Sequence, residues 1–597
     1  MQRQHFDPFD TVKYFWSTLG LPQIALESLD LPHDGEYYSS SFKVDHLAQS
    51  SIAFSALAAA LYWSTRHQVP VPKVTVPLGH ACTEFKSERL HVLNGKPAPS
   101  TWGTIGGLHK TADGYIKMHD IFPNHRTNAL AILGLREDAT REDVATKMLE
   151  WKSVELESEA FRRGAVIAAL RSFEEWDQLP QSKAIGDFPI LLKRITDTQP
   201  FIPPPPALKN DKCLRGVRVV EMSRVIAAPV AGKTLAAHGA EVIWVTSPTL
   251  PDLPDLDRDL GRGKRTVLLD IKRSDDKSKL LELIRTADVF IQGYRPGSLA
   301  KQGFSSEDLI RTNPNLIIAS LSAYGPDGPW SENRGFDSLV QTCSGINVAD
   351  AERYGADEVV RTLPCQAFDH GAGYLLAAGI MAALYKGRIE GGAYEVEVSL
   401  AGIMKYLRSL GQYPDKSGYG RQNFEGPKEV ERYLETRMTG FGELKAVKHS
   451  ASIEGLKTGW DIMPKPLGSD EPNSTKITPL VSYPYIFPSA HPFFNACVMT
   501  AISGASIHLW KGSFPMSSVP PTVHLGGISN PISVAARVLF FSLLSRMPYG
   551  ACVAQVHVHL NRDDMFSTSL AMCLHSAETY AAFMGPTLPT NPSLRDI

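Results

Sequence analysis

Few residues in this chain are placed so that their type and spacing alone suggest chemistry. Asp369 stands directly before the apolar run HGAGYLLAAGIMAALY. A carboxylate with an ordinary pKa near ~3.9 is ionised at neutral pH, so it can attack an electrophilic carbonyl without a base to activate it. The same position suits a helix cap worth about 1 kcal/mol, and both roles can coexist. A second pattern, AAPVAGKT from Ala227 to Thr234, satisfies a relaxed phosphate-loop spacing between a strand and a helix. Its first glycine is missing, Pro229 removes one N–H donor, and no magnesium-binding acid ends a later strand. A P-loop NTPase is therefore the least supported alternative, and the GKT reads as ordinary helical sequence. His557 and His559 would share one side of a strand, which is a weak metal signal. No GxGxxG follows the first strand and no GxSxG elbow occurs.

Composition narrows the partners. The net charge is -2, so no global field favours a polyanion and no nucleic-acid partner is expected. The 7 cysteines are scattered without a CxxC pair, which predicts reduced thiols, an intracellular setting and no metal site. The segment MQRQHFDPFD lacks the apolar stretch of a signal peptide, making the cytosol the expected compartment, with mitochondrion and peroxisome left open. Stretches such as SVAARVLFFSLLS fall short of the roughly 20 residues of a spanning helix, so no membrane segment is expected.

These residues need elements to hold them. The clearest boundary is the proline-rich segment 199–212, because consecutive prolines join neither a helix nor a central strand. After it, β-branched apolar runs (RGVRVVEMS, AEVIWVT, RTVLLDI, DVFIQGY, NLIIASLSAYG) alternate with helical runs. This order predicts an α/β domain over residues 213–415, a Rossmann-like, mainly parallel sheet wrapped by helices. Residues 1–198 read as a smaller α+β domain placed N-terminal to it. Within them, GLHKTADGYIKMH predicts a hairpin turning at Asp113-Gly114, and EDVATKMLEWKSVELESEAFRRGAVIAALR has helical spacing. An internal repeat crosses the linker: VDHLAQSSIAFSALAAALY, from Val44, matches FDHGAGYLLAAGIMAALY, from Phe368. Residues 416–472 follow as a closing segment. Residues 473–597 form an atypical tail with few charges and no clear period, read as a poorly structured extension.

Ordered motifs in the second half resemble class III CoA-transferases, the CaiB/BaiF family. They are LRGVRVVEMSRVIAAPVAGKTLAAHGAEVIWV, GRGKRTVLLDIK, QGYRPGSLAKQGF, ASLSAYGPDGPW, NRGFDSLVQTCSGI and LPCQAFDHGAGYLLAAGIMAALYKGR. The first half resembles the small domain of the same family, which in relatives follows the large one, and FGELKAVKHSASIEG resembles its closing segment. The chain thus looks like a permuted or partly duplicated member.

The resemblance implies an enzyme that moves CoA between an acyl-CoA and a small carboxylic acid, with Asp369 forming an aspartyl anhydride and then an aspartyl-CoA thioester. Coenzyme A is then a substrate, and no tightly bound cofactor is expected. Arg224, Lys264, Arg265, Arg295 and Arg334 fall in or beside family motifs and become candidates for the phosphates of CoA, with Tyr324 and Gly325 shaping the cleft. Arg295, before Pro296-Gly297 at a strand end, is the favoured one, since ligands of such sheets gather at the strands' carboxyl ends. Gly371 and Gly373 would let substrate approach the backbone, and Gly106-Gly107 is a weak candidate for a covering loop. The family forms interlaced dimers, so a homodimer is an open expectation.

Two alternatives stay open. Racemases of 2-methylacyl-CoA in this family carry a histidine within a GHD triplet, and here the triplet is Gly335-Phe336-Asp337, so racemisation is the runner-up. Trp244, Thr246 and Ser247 depart from the family's sequence after the second strand, which keeps a noncatalytic CoA-binding relic in view. Asp45, the repeat counterpart of Asp369, reads as a structural cap.

Overall fold

A seven-stranded sheet organises the chain. In this computed structural model its order is Lys264–Leu268, Glu241–Thr246, Arg218–Met222, Val289–Gln292, Ile317–Ser322, Tyr394–Ser399 and Ile190–Arg194. The first six strands run parallel and the last is antiparallel to Tyr394–Ser399. The structure describes residues 3–200, 211–355 and 358–473, together with the backbone of three strands further on. The expected α/β class with a mainly parallel sheet is what forms.

The strand order reverses direction between Arg218–Met222 and Val289–Gln292, as in doubly wound folds, where such a switch point opens a crevice at the carboxyl ends of the strands. Continuous apolar runs make these central strands: Val219, Val220, Val289, Phe290 and Ile291 are all buried, as a sheet covered on both faces requires.

The repeat found in the sequence is a matched pair of helices. Val44–His67 and Ala367–Glu390 each span 24 residues and pack against one another in the core. Ala367–Glu390 is long and apolar enough to cross a membrane by length and composition, but its apolar window is wholly buried inside this protein. A helix apolar on every side has to be enclosed somewhere, and here other helices enclose it. Gly371 faces Leu47 and Ile403, and a Cβ on Gly373 would sit 2.5 Å from the Ala227 carbonyl. These glycines therefore bring helices together, which corrects the expectation that they clear space for substrate.

The two halves are built into one unit spanning Met1–Ile477, and the edge strand Ile190–Arg194 comes from before the proline-rich segment. The segment Leu434–Val447 pairs back onto Val92–Leu93, and Ser452–Ile453 onto Val74–Thr75. The predicted hairpin forms from Gly107–Lys110 and Tyr115–Met118. The helical spacing that follows breaks into Arg141–Met148 and Ser153–Arg163. Gly164, at φ 72°, ends the second helix, and the stretch read as its continuation is the strand Ile167–Ala169. Of the linker, residues 201–210 lie outside the described residues, as do most of 473–597. Within that tail Thr522–Leu525, Val553–Val558 and Leu570–Cys573 form a three-stranded sheet, and the side chains read as a His-x-His pair lie outside the description.

Candidate active site

Asp369 lies in the first turn of Ala367–Glu390, a helix whose own N-cap residue, Gln366, makes no capping bond in the described arrangement. The missing acceptor comes from Asp337, the first residue of Asp337–Cys343. Its Oδ2 accepts the N–H of Phe368 at 2.7 Å and of Asp369 at 3.0 Å, while Gln341 donates to its other oxygen. Two of the orphan N–H groups that every helix start carries are thereby satisfied, and the backbone of Asp369 is fixed in place.

Around them the first half of the chain supplies Glu88, Arg89, Lys117 and His119. Arg89 pairs with Glu88 at 3.2 Å, and His370 Nε2 meets Glu88 Oε2 at 2.9 Å, so the His370 imidazole is engaged by a carboxylate. His119 lies flat on Phe336, with ring centroids 4.0 Å apart and an interplanar angle of 3°.

The electrostatics correct one expectation. Burial, followed by the neighbouring carboxyls of Asp337 and Glu88, pushes Asp369 well above the usual carboxylate range. Asp337 is raised to about 6, chiefly by burial. An aspartate enclosed with two further carboxyls resists ionisation, because like charges and a low dielectric both disfavour the anion. Asp369 is therefore not the freely ionised carboxylate that its residue type suggests.

The candidate cations divide into two groups. Arg224 follows the strand Arg218–Met222 and Arg295 follows Val289–Gln292, so both stand at the carboxyl ends of the strands flanking the switch point. Arg224 is presented by a turn in which Val225 has φ 71°, a conformation that β-branched residues avoid. Its guanidinium rests on the Phe122 ring at 4.6 Å and donates to the Pro251 carbonyl. Arg295 donates to the Glu332 carbonyl at 2.9 Å. Arg334 lies against Gly164. Burial and then the charges of Arg334, Arg224 and Arg295 lower His125 to about 4, so all three guanidiniums act on one imidazole. Among the described residues none of the three has a carboxylate partner. Guanidiniums without an ion-pair partner are the side chains that an anionic group can engage in charge-assisted hydrogen bonds.

Lys264, Arg265 and Tyr324 lie elsewhere. The Lys264 side chain is fully buried, its ammonium 2.8 Å from both Glu221 Oε1 and the Pro229 carbonyl, so its charge is neutralised within the fold. Arg265 is held by Glu471, Asn473 and Asp470. Tyr324 is buried against Trp330 and Gly335. The phosphate-loop pattern is not a loop: Gly232, Lys233 and Thr234 sit inside the helix Ala227–Ala237, and Lys233 pairs with buried Asp259 at 2.6 Å.

Asp45 contrasts with Asp369. Its Oδ1 accepts from Tyr413 at 2.8 Å and its Oδ2 pairs with Arg421 at 3.2 Å, so its oxygens are already engaged. Gly106 abuts the Asp120 carboxylate, which accepts the Ile105 N–H at 2.9 Å, so this glycine segment is anchored. Asp337, Lys117, His119 and His125 were missed as functional candidates. Asp337 lies inside the motif NRGFDSLVQTCSGI, and the signal for Lys117 and His119 was the polar ladder K-M-H in GYIKMH, while His125, in the following IFPNHR, carried no such signal. Among the described residues no group of three or more metal-ligating side chains occurs.

Residues 214–426 match the sequence model of CoA-transferase family III. The chain is 30% identical over 314 residues to an acyl-CoA transferase of Gibberella moniliformis, covering 49% of this chain and 54% of that protein. It is 34% identical over 217 residues to a "Probable fatty acyl-CoA transferase" of Mycobacterium tuberculosis, covering 34% and 54% respectively. It is 33% identical over 210 residues to a formyl-CoA:oxalate CoA-transferase of Rhodopseudomonas palustris, covering 33% and 48%. The chain spans about half the length of these curated relatives.

Proposed function

Since residues 214–426 belong to CoA-transferase family III, we propose that this chain moves CoA between an acyl-CoA and a small carboxylic acid, with Asp369 as nucleophile. The observation that carries the reading is the presence in one fold of a buried, backbone-anchored aspartate and three guanidiniums that lack ion-pair partners, two of them at the sheet's switch point. The Asp369 carboxylate attacks the thioester carbonyl; a C–O bond forms, the C–S bond breaks, and CoA leaves as thiolate. The thiolate attacks the aspartyl carbonyl of the mixed anhydride and releases the first acid as carboxylate. The incoming acid reverses both steps, so the thioester's energy is conserved through covalent intermediates. Arg224, Arg295 and Arg334 hold the phosphates of CoA, while Lys264 and Arg265 support the fold.

Trapping tests this. After incubation with a panel of acyl-CoAs and hydroxylamine, the Asp369 peptide carries the modification; an adduct that persists unchanged in Asp369→Asn overturns the assignment. Racemisation of a 2-methylacyl-CoA is the second reading, favoured by the buried imidazole of His119 on the face of Phe336. Deuterium uptake at the α-carbon without acyl transfer would select it. Absence of both reactions, with CoA binding retained, would select the noncatalytic relic.

A further inference from the structure

We propose that Lys117 and Arg89 dock the carboxylate of the acid substrate, in a subsite that the first half of the chain builds beside Asp369 and apart from the three arginines. The proposal rests on the transfer reading above and names where its second substrate binds.

The strand Tyr115–Met118 alternates: Ile116 and Met118 point into the small core with Leu130 and Leu156. Side chains two apart share a face, so Lys117 and His119 lie together on the opposite one. His119 remains in line with the strand, since its N–H donates to the Val166 carbonyl at 2.9 Å. That face meets the site, because His119 stacks on Phe336, and the next residue, Asp337, anchors the Asp369 backbone. Lys117 is one step back along the same face. The Asp337 carboxyl raises its affinity for a proton and the Arg89 guanidinium lowers it, so both charges act on it.

The Lys117 side chain makes no ion pair or hydrogen bond among the described residues, and its ammonium rests 5.5 Å from the centre of the Trp102 ring. Partial burial makes that charge costly while it has no ion-pair partner, a cost that an arriving carboxylate offsets. Arg89 holds Glu88 through Nε, and its Nη2 lies 3.1 Å from the Gln366 amide oxygen once that amide is turned to donate to Asp337. Its side chain stays 39% exposed, leaving donors free at the rim. Other charged and titratable groups at this place are His119, Glu88, His370, Asp337 and Asp369, and three of these are carboxyls.

Transfer brings a second anion to this acidic place. For the acid's oxygen to attack the aspartyl-CoA carbonyl, forming a C–O bond as the C–S bond breaks and thiolate departs, its charge needs cations on the approach side. Lys117 and Arg89 stand there, while the arginine cluster gathers around His125.

The test compares Lys117→Gln with Lys117→Arg in steady state and in hydroxylamine trapping. Loss of one charge-assisted contact predicts a rise of about 10-fold in KM for the acid in Lys117→Gln, a much smaller change in KM for acyl-CoA, trapping at Asp369 in both variants, and recovery of the acid KM in Lys117→Arg. An unchanged acid KM, or an equal rise for acyl-CoA, overturns the subsite. In wild-type protein, acetate and longer monocarboxylates should protect Lys117 from an amine-directed reagent; lack of protection counts against the proposal even if Lys117→Gln fails to fold. Absence of any Asp369 adduct would sink the transfer reading instead, and the protection experiment would still judge the subsite.

Discussion

One oxygen of Asp337 accepts the backbone N–H of both Phe368 and Asp369, so a residue 32 positions upstream sets where the candidate nucleophile begins its helix. Asp337→Ala leaves two buried N–H groups without an acceptor, a loss of about 1 to 3 kcal/mol in stability. Chemical denaturation should show it together with a large fall in turnover. Asp337→Asn keeps an acceptor oxygen and removes a like charge from beside Asp369. The acid limb of its kcat/KM profile should move to lower pH, a shift that a purely structural role would not produce.

The pH dependence of the wild type follows from the same pair. Only ionised Asp369 attacks, and its pKa is raised, so kcat/KM should rise with pH through a value above the ordinary carboxylate range. The stability effect has the opposite sign. Between the ordinary value of 3.8 and the raised value, the folded state keeps a proton that the unfolded chain has lost, so Asp369 weakens the fold as pH rises. Asp369→Asn should therefore lose all turnover and yet match or exceed the wild type in stability above neutral pH, as measured by urea unfolding at several pH values.

Asp45 is the internal control. Its carboxylate is engaged by Tyr413 and Arg421, and both it and Arg421 are almost wholly buried. Asp45→Ala leaves buried Arg421 with only the exposed Glu36, 4.0 Å away, as an acidic partner and should destabilise the protein by about 3 kcal/mol in denaturant titration. No acyl adduct should appear on the Asp45 peptide, giving one modified aspartate per chain.

For the arginines, the expected signature is ionic. Single replacements Arg224→Ala, Arg295→Ala and Arg334→Ala should each raise KM for acyl-CoA about 10-fold, with little change in KM for the acid. The wild-type KM for acyl-CoA should also increase with salt, because exposed charges are screened. KM titrations at two ionic strengths check both.

Lys233 distinguishes a structural ion from a phosphate-binding one. It pairs with Asp259, whose side chain is fully buried and also holds Arg262. Lys233→Ala should cost about 3 to 5 kcal/mol in unfolding free energy by leaving that carboxylate partly uncompensated. ATP hydrolysis by the wild type that this substitution abolishes would contradict the helical placement of the GKT sequence.

Much of the large sheet was legible because its signals are local. Val219, Val220, Phe290 and Ile291 sit in short apolar runs bounded by turns, and the alternation of strand and helix leaves few topologies open. The hairpin at Asp113-Gly114 and the repeated helices were legible for the same reason. The stretch after Gly164 was misread, since a short apolar run suits a helix or a strand equally and pairing with Tyr115–Met118 decides it.

The sequence by itself determined the family resemblance, the class of fold and the place of Asp369 at a helix start, because these depend on residue order and on periods of a few residues. Only the tertiary structure decided which charges are available. Lys264 and Arg265 look like Arg224 and Arg295 along the chain, yet the first pair forms ion pairs with Glu221 and Asp470 in the fold while the second forms no ion pair among the described residues. It also decided the protonation of Asp369, since Asp337 and Glu88, 32 and 281 positions away in the chain, are neighbours only after folding. Charge and burial act through space, so the environment of a nucleophile is fixed by contacts that residue order does not display.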